Sequence, residues 1–175
     1  MGPRAKLNSR SGADRKGTTN PMKKSVYVLA VVLSVSALWG ADAFTGTWKL
    51  NPGKSKFEKG KEIREITVVM TEQGANSAVT AKGVQSDGKA ISVRYTMPMK
   101  GGPMNFTEGG PAAGTAVVAK RVDANTVETT SMLNGKEVGS TRTTVSKDGK
   151  TLTRTAKTLD DKGKAVMSTA VLDRQ

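Results

Sequence analysis

From Phe44 to the end of the chain, apolar and polar residues alternate far more often than they follow a helical repeat. In "FTGTWKL", Phe44, Gly46, Trp48 and Leu50 fall on one side of an extended chain, with Thr45, Thr47 and Lys49 on the other. "KAISVRYTMPM" does the same, setting Ile91, Val93, Tyr95, Met97 and Met99 against Ser92, Arg94 and Thr96. A period of two marks a strand with one buried face, and the many Thr and Val residues suit a pleated surface. Asp87-Gly88, Asn134-Gly135 and Asp148-Gly149 each separate two alternating runs, and each is followed by Lys. Asx-Gly pairs accept the positive φ of a type I′ hairpin turn. Asp123-Ala124-Asn125 predicts another turn, and Asp161-Lys162-Gly163 a slightly longer hairpin loop.

This punctuation predicts strands near 44–50, 62–70, 77–84, 89–99, 115–122, 125–132, 136–146, 150–158 and 164–173, with a short tenth near 104–107. The stretch "KGGPMNFTEGGPAAG" is expected as a loop or short irregular hairpin that interrupts the meander. Hairpins in series leave two unpaired edges, which long meanders remove by closing on themselves. The inward positions mix Thr, Ser, Ala and Gly with larger apolar residues, which suits a barrel with a cavity better than a packed sandwich. The expected fold is therefore all-β: an antiparallel up-and-down β-barrel of eight to ten strands, forming one domain over 44–175.

The segment before Phe44 has a different texture. Residues 1–21 are basic, polar and aperiodic, as in a disordered extension or a start codon placed too far upstream. Residues 22–43 form a signal-peptide pattern: Lys23 and Lys24, the apolar run "SVYVLAVVLSVSALWG", then the small-x-small Ala41-Asp42-Ala43. The run is shorter than the roughly 20 apolar residues of a membrane span. Cleavage is expected near Ala43, leaving a secreted or periplasmic chain. Without a single Cys, that chain carries no disulfide and no lipoprotein anchor. It holds 21 Lys/Arg against 13 Asp/Glu, a net charge of +8. The charges are scattered through strands and turns, whereas nucleic-acid binding wants a basic patch interleaved with aromatics. A monomer that binds no nucleic acid and has no stable membrane anchor is expected.

The absence of His and Cys removes Ser-His-Asp, Cys-His and the usual zinc sites. Glu62/Glu65 and Asp160/Asp161 sit at strand ends or turns and are read as solvated charge. The three Met of "MPMKGGPM" lack the His or Cys that copper sites add. No catalytic residue, metal or cofactor is expected, and the chain is not expected to be an enzyme. The candidate ligand-binding residues are Ile91, Val93, Tyr95, Met97 and Met99 on their shared face, Phe106, and two cations. Arg154 shares a strand face with Leu152 and Ala156, and Arg142 with Val138. A guanidinium turned inward needs a partner.

The opening strand, with Gly46-Thr47-Trp48, and the C-terminal "VLDRQ", with Arg174, together resemble the calycin superfamily of lipocalins and fatty-acid-binding proteins. The resemblance implies that Trp48 and Arg174 form a structural barrel closure, the guanidinium lying across the indole. It also implies that an interior Arg, here Arg154 or Arg142 with Tyr95, receives a ligand carboxylate. Fatty-acid binders carry a helix–turn–helix lid after the first strand. Here the 11 residues of "NPGKSKFEKGK" hold Pro52, Gly53 and Gly60, too little for two helices, so the barrel is expected to have no helical lid. Gly46–Phe57 and Ser146–Lys164 are also similar to small secreted bacterial proteins of unknown function, which open "GTWKLNxxKSKF" and close "SKDGKTLTxTxKGTDxxGK". The expected function is a secreted lipocalin-like protein binding a small hydrophobic or amphipathic ligand, carboxylate-bearing if an interior Arg receives it. The alternative is a structural or interaction module of the bacterial envelope with a basic surface.

Overall fold

The computed structural model describes residues 42–159 and 163–175. The readings of 1–21 and of the apolar leader up to residue 41 lie outside the described residues, as does the Asp161-Lys162 part of the last hairpin loop. Eleven strands follow one another: β1 (Gly46–Leu50), β2 (Ile63–Gln73), β3 (Asn76–Gln85), β4 (Ala90–Pro98), β5 (Gly101–Pro103), β6 (Asn105–Glu108), β7 (Thr115–Asp123), β8 (Thr126–Leu133), β9 (Lys136–Val145), β10 (Thr151–Leu159) and β11 (Ala165–Arg174). All pair antiparallel in a single sheet, in the order β5-β7-β8-β9-β10-β11-β1-β2-β3-β4-β6. The first and last strands meet, with Trp48 opposite Arg174 and Leu50 opposite Leu172. The result is a nearly closed up-and-down barrel.

The other seam is closed by the segment expected as a loop or short irregular hairpin, in which the short strand expected near 104–107 is β6. Pro103, Met104 and Asn105 connect β5 and β6, which occupy one place in the circuit. β5 pairs with β7, β6 pairs with β4, and between them the Met104 N–H donates to the Val117 carbonyl at 2.9 Å. Glycine makes this crossing possible. Gly101 sits at φ +94°, and a Cβ there would lie 2.9 Å from the Ala119 carbonyl oxygen. A side chain would push the strand off its neighbour.

Two hairpin expectations need correcting. Asn134 and Gly135 both take positive φ, 49° and 77°, as a type I′ turn requires. At Asp87-Gly88 and Asp148-Gly149 only the glycine is left-handed. In each, the glycine N–H donates to a carbonyl three residues back, that of Gln85 or Ser146. The aspartate carboxylate accepts the N–H of Lys89 at 2.9 Å, or of Lys150 at 3.0 Å. A carboxylate that finds an acceptor role two residues on holds its own backbone in the ordinary region.

Between β1 and β2 lies one 3-10 turn, Pro52–Lys54, capped by the Asn51 side chain, and an isolated bridge from Lys56 to Thr169. No helical lid follows β1 among the described residues. Phe57 folds back onto the core instead.

The core fills one half of the barrel. Phe44, Trp48, Leu50, Met70, Val79, Met97, Ala119, Val127, Val145, Leu152 and Leu172 form one buried cluster. All lie toward the end that carries the turn at 42–45, the C-terminal residue Gln175 and the turns at 73–76, 98–101, 123–126 and 145–151. The opposite end carries the connections at 51–62, 85–90, 109–114 and 133–136, and the one after Leu159.

Candidate functional site

The closed end is built around Trp48, whose side chain is fully buried. Its indole N–H donates to the Phe44 carbonyl at 2.9 Å. The Arg174 guanidinium lies 4.1 Å from the indole centroid, and each of its nitrogens donates to a carbonyl: Nε to Gly149 at 2.6 Å, Nη1 to Thr45 at 2.6 Å and Nη2 to Ala43 at 2.7 Å. Gly46 is the companion of this arrangement. Its φ is +138°, and a Cβ there would stand 2.5 Å from Arg174 Nη1. The Gly-x-Trp spacing thus leaves room for the very guanidinium that covers the Trp. A second cation, Arg121, stacks 4.9 Å from the Phe44 ring centroid and grips the Asp42 carboxylate at 2.7 and 3.3 Å. The alternation signal gave no hint of Arg121 and Asp42; only β7 closing against the N-terminal turn brings them together.

At the open end the inner face is a different surface. On one wall Tyr95 stands opposite Val79 and Phe106, Val93 opposite Ala81, and Ile91 opposite Gly83. The Tyr95 and Phe106 rings are tilted by 42°, with centroids 5.1 Å apart. The facing wall is rich in hydroxyls. Arg154 stands between Ala170 and Thr143, Ala156 between Ser168 and Thr141, and Thr141 opposite Thr129. Leu152 and Ala156, which share Arg154's face, are buried, so Arg154 projects from the inner side of β10. Its guanidinium is nevertheless exposed. It reaches Thr141 Oγ1 at 3.5 Å and pairs with no carboxylate among the described residues. The interior is therefore open to solvent at this level.

Burial raises the Tyr95 phenol above its ordinary pKa, while the positive charge of Arg154 acts in the opposite sense. Tyr95 is neutral around pH 7 and its O–H can donate. The mouth also carries a cleft of about 410 Å³ formed by Met104 and residues 106–115, and another of about 320 Å³ between Glu137–Gly139 and Lys157–Leu159. Each is an open recess in the rim.

Of the sequence candidates, Ile91, Val93, Tyr95, Phe106 and Arg154 come together on the inner face of the open half. Met97 is on that face but buried in the core. Met99 lies in the turn after β4, its N–H donating to the Ala75 carbonyl at 3.0 Å. Arg142 does not reach the interior. It is on the outer face, opposite Glu128 and ion-paired with it. The alternate residues of the two strands, Val127 and Val145, are the buried ones, and the pairing skips Val138, with Gly139 opposite Ser131 and Glu137 opposite Met132. Trp48 and Arg174 stand opposite each other on β1 and β11, with the guanidinium over the indole.

The site and fold define a near-closed antiparallel β-barrel, plugged at one end and open at the other. No known protein-family model matches the chain, and no curated protein matches it. Among solved structures, the chain is similar to one described as "Structure of a redesigned beta barrel, mFAP1, bound to DFHBI". The two are 12% identical, with a TM-score of 0.37, over 76% of this chain and 95% of that one.

Proposed function

We propose that this protein is an exported, calycin-like carrier or scavenger that holds a small amphipathic molecule in the open half of its barrel. The observation that carries this is the Arg154 guanidinium. It projects from the inner face, exposed and without a carboxylate partner among the described residues, opposite a wall of Tyr95, Phe106, Val93 and Ile91. A guanidinium fork suits a carboxylate or another anionic head group. The apolar wall removes the remainder of the ligand from water, which is the usual drive in such sites. Gly46, Trp48 and Arg174 support the calycin-like reading, and the basic start and apolar run of 22–43 support export. The proposed role is binding without chemistry.

Two measurements test it. Native mass spectrometry of the protein purified from its host should find a retained small molecule. Displacement of a fluorescent amphiphile by carboxylate ligands should weaken at least roughly tenfold in Arg154→Gln, about the loss of one charge-assisted contact. Unchanged affinity would remove Arg154 from the site. Failure of any ligand to be retained or to displace the probe would leave the envelope-module reading in place.

A further inference from the structure

We propose that maturation leaves Asp42 and Ala43 on the chain: the export cut falls N-terminal to Asp42, not after Ala43 as the small-x-small pattern suggests. The inference rests on the export reading above. Asp42 and Ala43 are working parts of the closed end. The Asp42 carboxylate takes both Arg121 Nη1 and Nη2, at 2.7 and 3.3 Å, in a pair whose side chains are only 20% and 11% exposed. The same carboxylate accepts the Phe44 N–H at 3.0 Å, and the Asp42 carbonyl accepts the Thr45 N–H at 2.8 Å. The Ala43 carbonyl is one of the three that hold Arg174 over Trp48.

A cut after Ala43 removes every one of these acceptors. It also creates an ammonium on Phe44, beside the guanidinium stacked on that residue's own ring. Arg121 would lose its carboxylate and gain a like charge as neighbour. Removing one partner of a largely buried pair is strongly destabilising. A cut before Asp42 has the opposite electrostatics. The Asp42 nitrogen already donates to Glu72 Oε1 at 2.7 Å, and Thr45 Oγ1 lies 3.4 Å from the same oxygen. In the cleavage, a signal-type endopeptidase hydrolyses a peptide bond with one water: the acyl carbon takes the hydroxyl and the amine leaves protonated. If the bond is Ala41–Asp42, the new ammonium faces Glu72, and a hydrogen bond from a neutral amide to the carboxylate becomes an ion pair. Ala41 supplies a small residue directly before that bond, while Trp39 occupies the place where the small-x-small pattern sets its second small residue.

The test is expression of the full chain in a bacterial host, followed by N-terminal sequencing and intact-mass measurement of the exported protein. A cleaved chain whose first residue is Asp42, or lies just before it, is expected. A chain starting at Phe44 or later overturns the proposal and leaves export standing. A chain that is never cut overturns both, so the two failures are distinguishable. As an independent readout, protein starting at Asp42 should melt roughly 5–10 °C above protein starting at Phe44, and Asp42→Asn in the former should forfeit several of those degrees. Equal melting temperatures overturn the argument.

Discussion

Among the described residues, Arg174, Arg121 and Arg154 are placed along the inside of this barrel, and the two ends treat them differently. Arg174 and Arg121, at the closed end, lie over aromatic rings, and carbonyl or carboxylate oxygens saturate them. Arg154, toward the open end, has one long contact to a threonine hydroxyl. All three carry the same charge, so the difference lies in what the backbone brings to them. Where strand ends and the N-terminal turn converge, free carbonyls are available and the cation becomes a clamp. Along the middle of β10 the neighbouring carbonyls are spent on the ladder, and the cation keeps its donors for something else.

The sharpest way to break this contrast is to remove the plug. Trp48→Ala should cost about 3–5 kcal/mol in urea unfolding, the range for an aromatic deleted from a tight core. A loss under about 1 kcal/mol would mean that the closed end is not the core. Next come the residues that fit the clamp to the Trp. Gly46→Ala should cost roughly 1–3 kcal/mol, through its left-handed φ and its collision with Arg174. Arg174→Ala should cost a similar amount. The double variant should lose less than the sum, because deleting Arg174 also deletes the collision. Strict additivity would separate the two residues.

Arg154→Leu tests the other end. Folding stability should stay within about 1 kcal/mol of the parent or rise, since an unpaired cation contributes little to the fold. Chemical denaturation checks this, and a loss above about 2 kcal/mol would class Arg154 with the clamps.

A smaller effect lies in pH. The Tyr95 phenol titrates higher in the folded chain than in the unfolded one. The unfolded chain therefore loses its proton first, and stability falls as the pH rises through about 10. Tyr95→Phe should flatten this alkaline decline in melting temperature; an identical decline would show that Tyr95 has no part in it. Smallest of all, Arg142→Ala should shift stability by about 0.5 kcal/mol or less, because its pair with Glu128 is exposed on the outer face.

Several strands lie within one or two residues of where alternation and turn residues place them, because a strand's period is a local property of the chain. β10 is one: expected at 150–158, it runs Thr151–Leu159. The resemblance singled out Trp48 and Arg174, which stack across the β1–β11 pairing. β6 falls within one residue of the short strand expected near 104–107, but β5 was not legible. Gly101, Gly102 and Pro103 carry every mark of a loop, and they form a strand only because β7 offers an edge.

Arg142 and Arg154 looked equivalent from alternation alone. Alternation says which residues share a face, but not whether that face is the inside; for Arg142 the pairing with Glu128 shows that it is the outside. Asp42 looked like the disposable middle of a cleavage pattern until Arg121, from the seventh strand, was placed against it. The chain by itself determined the strands, most of the turns and the presence of a plug, since these follow from backbone preference and the burial of alternate side chains. Only the closed sheet decided which cations are clamped and which is left open, because acceptors for a guanidinium come from segments distant in sequence.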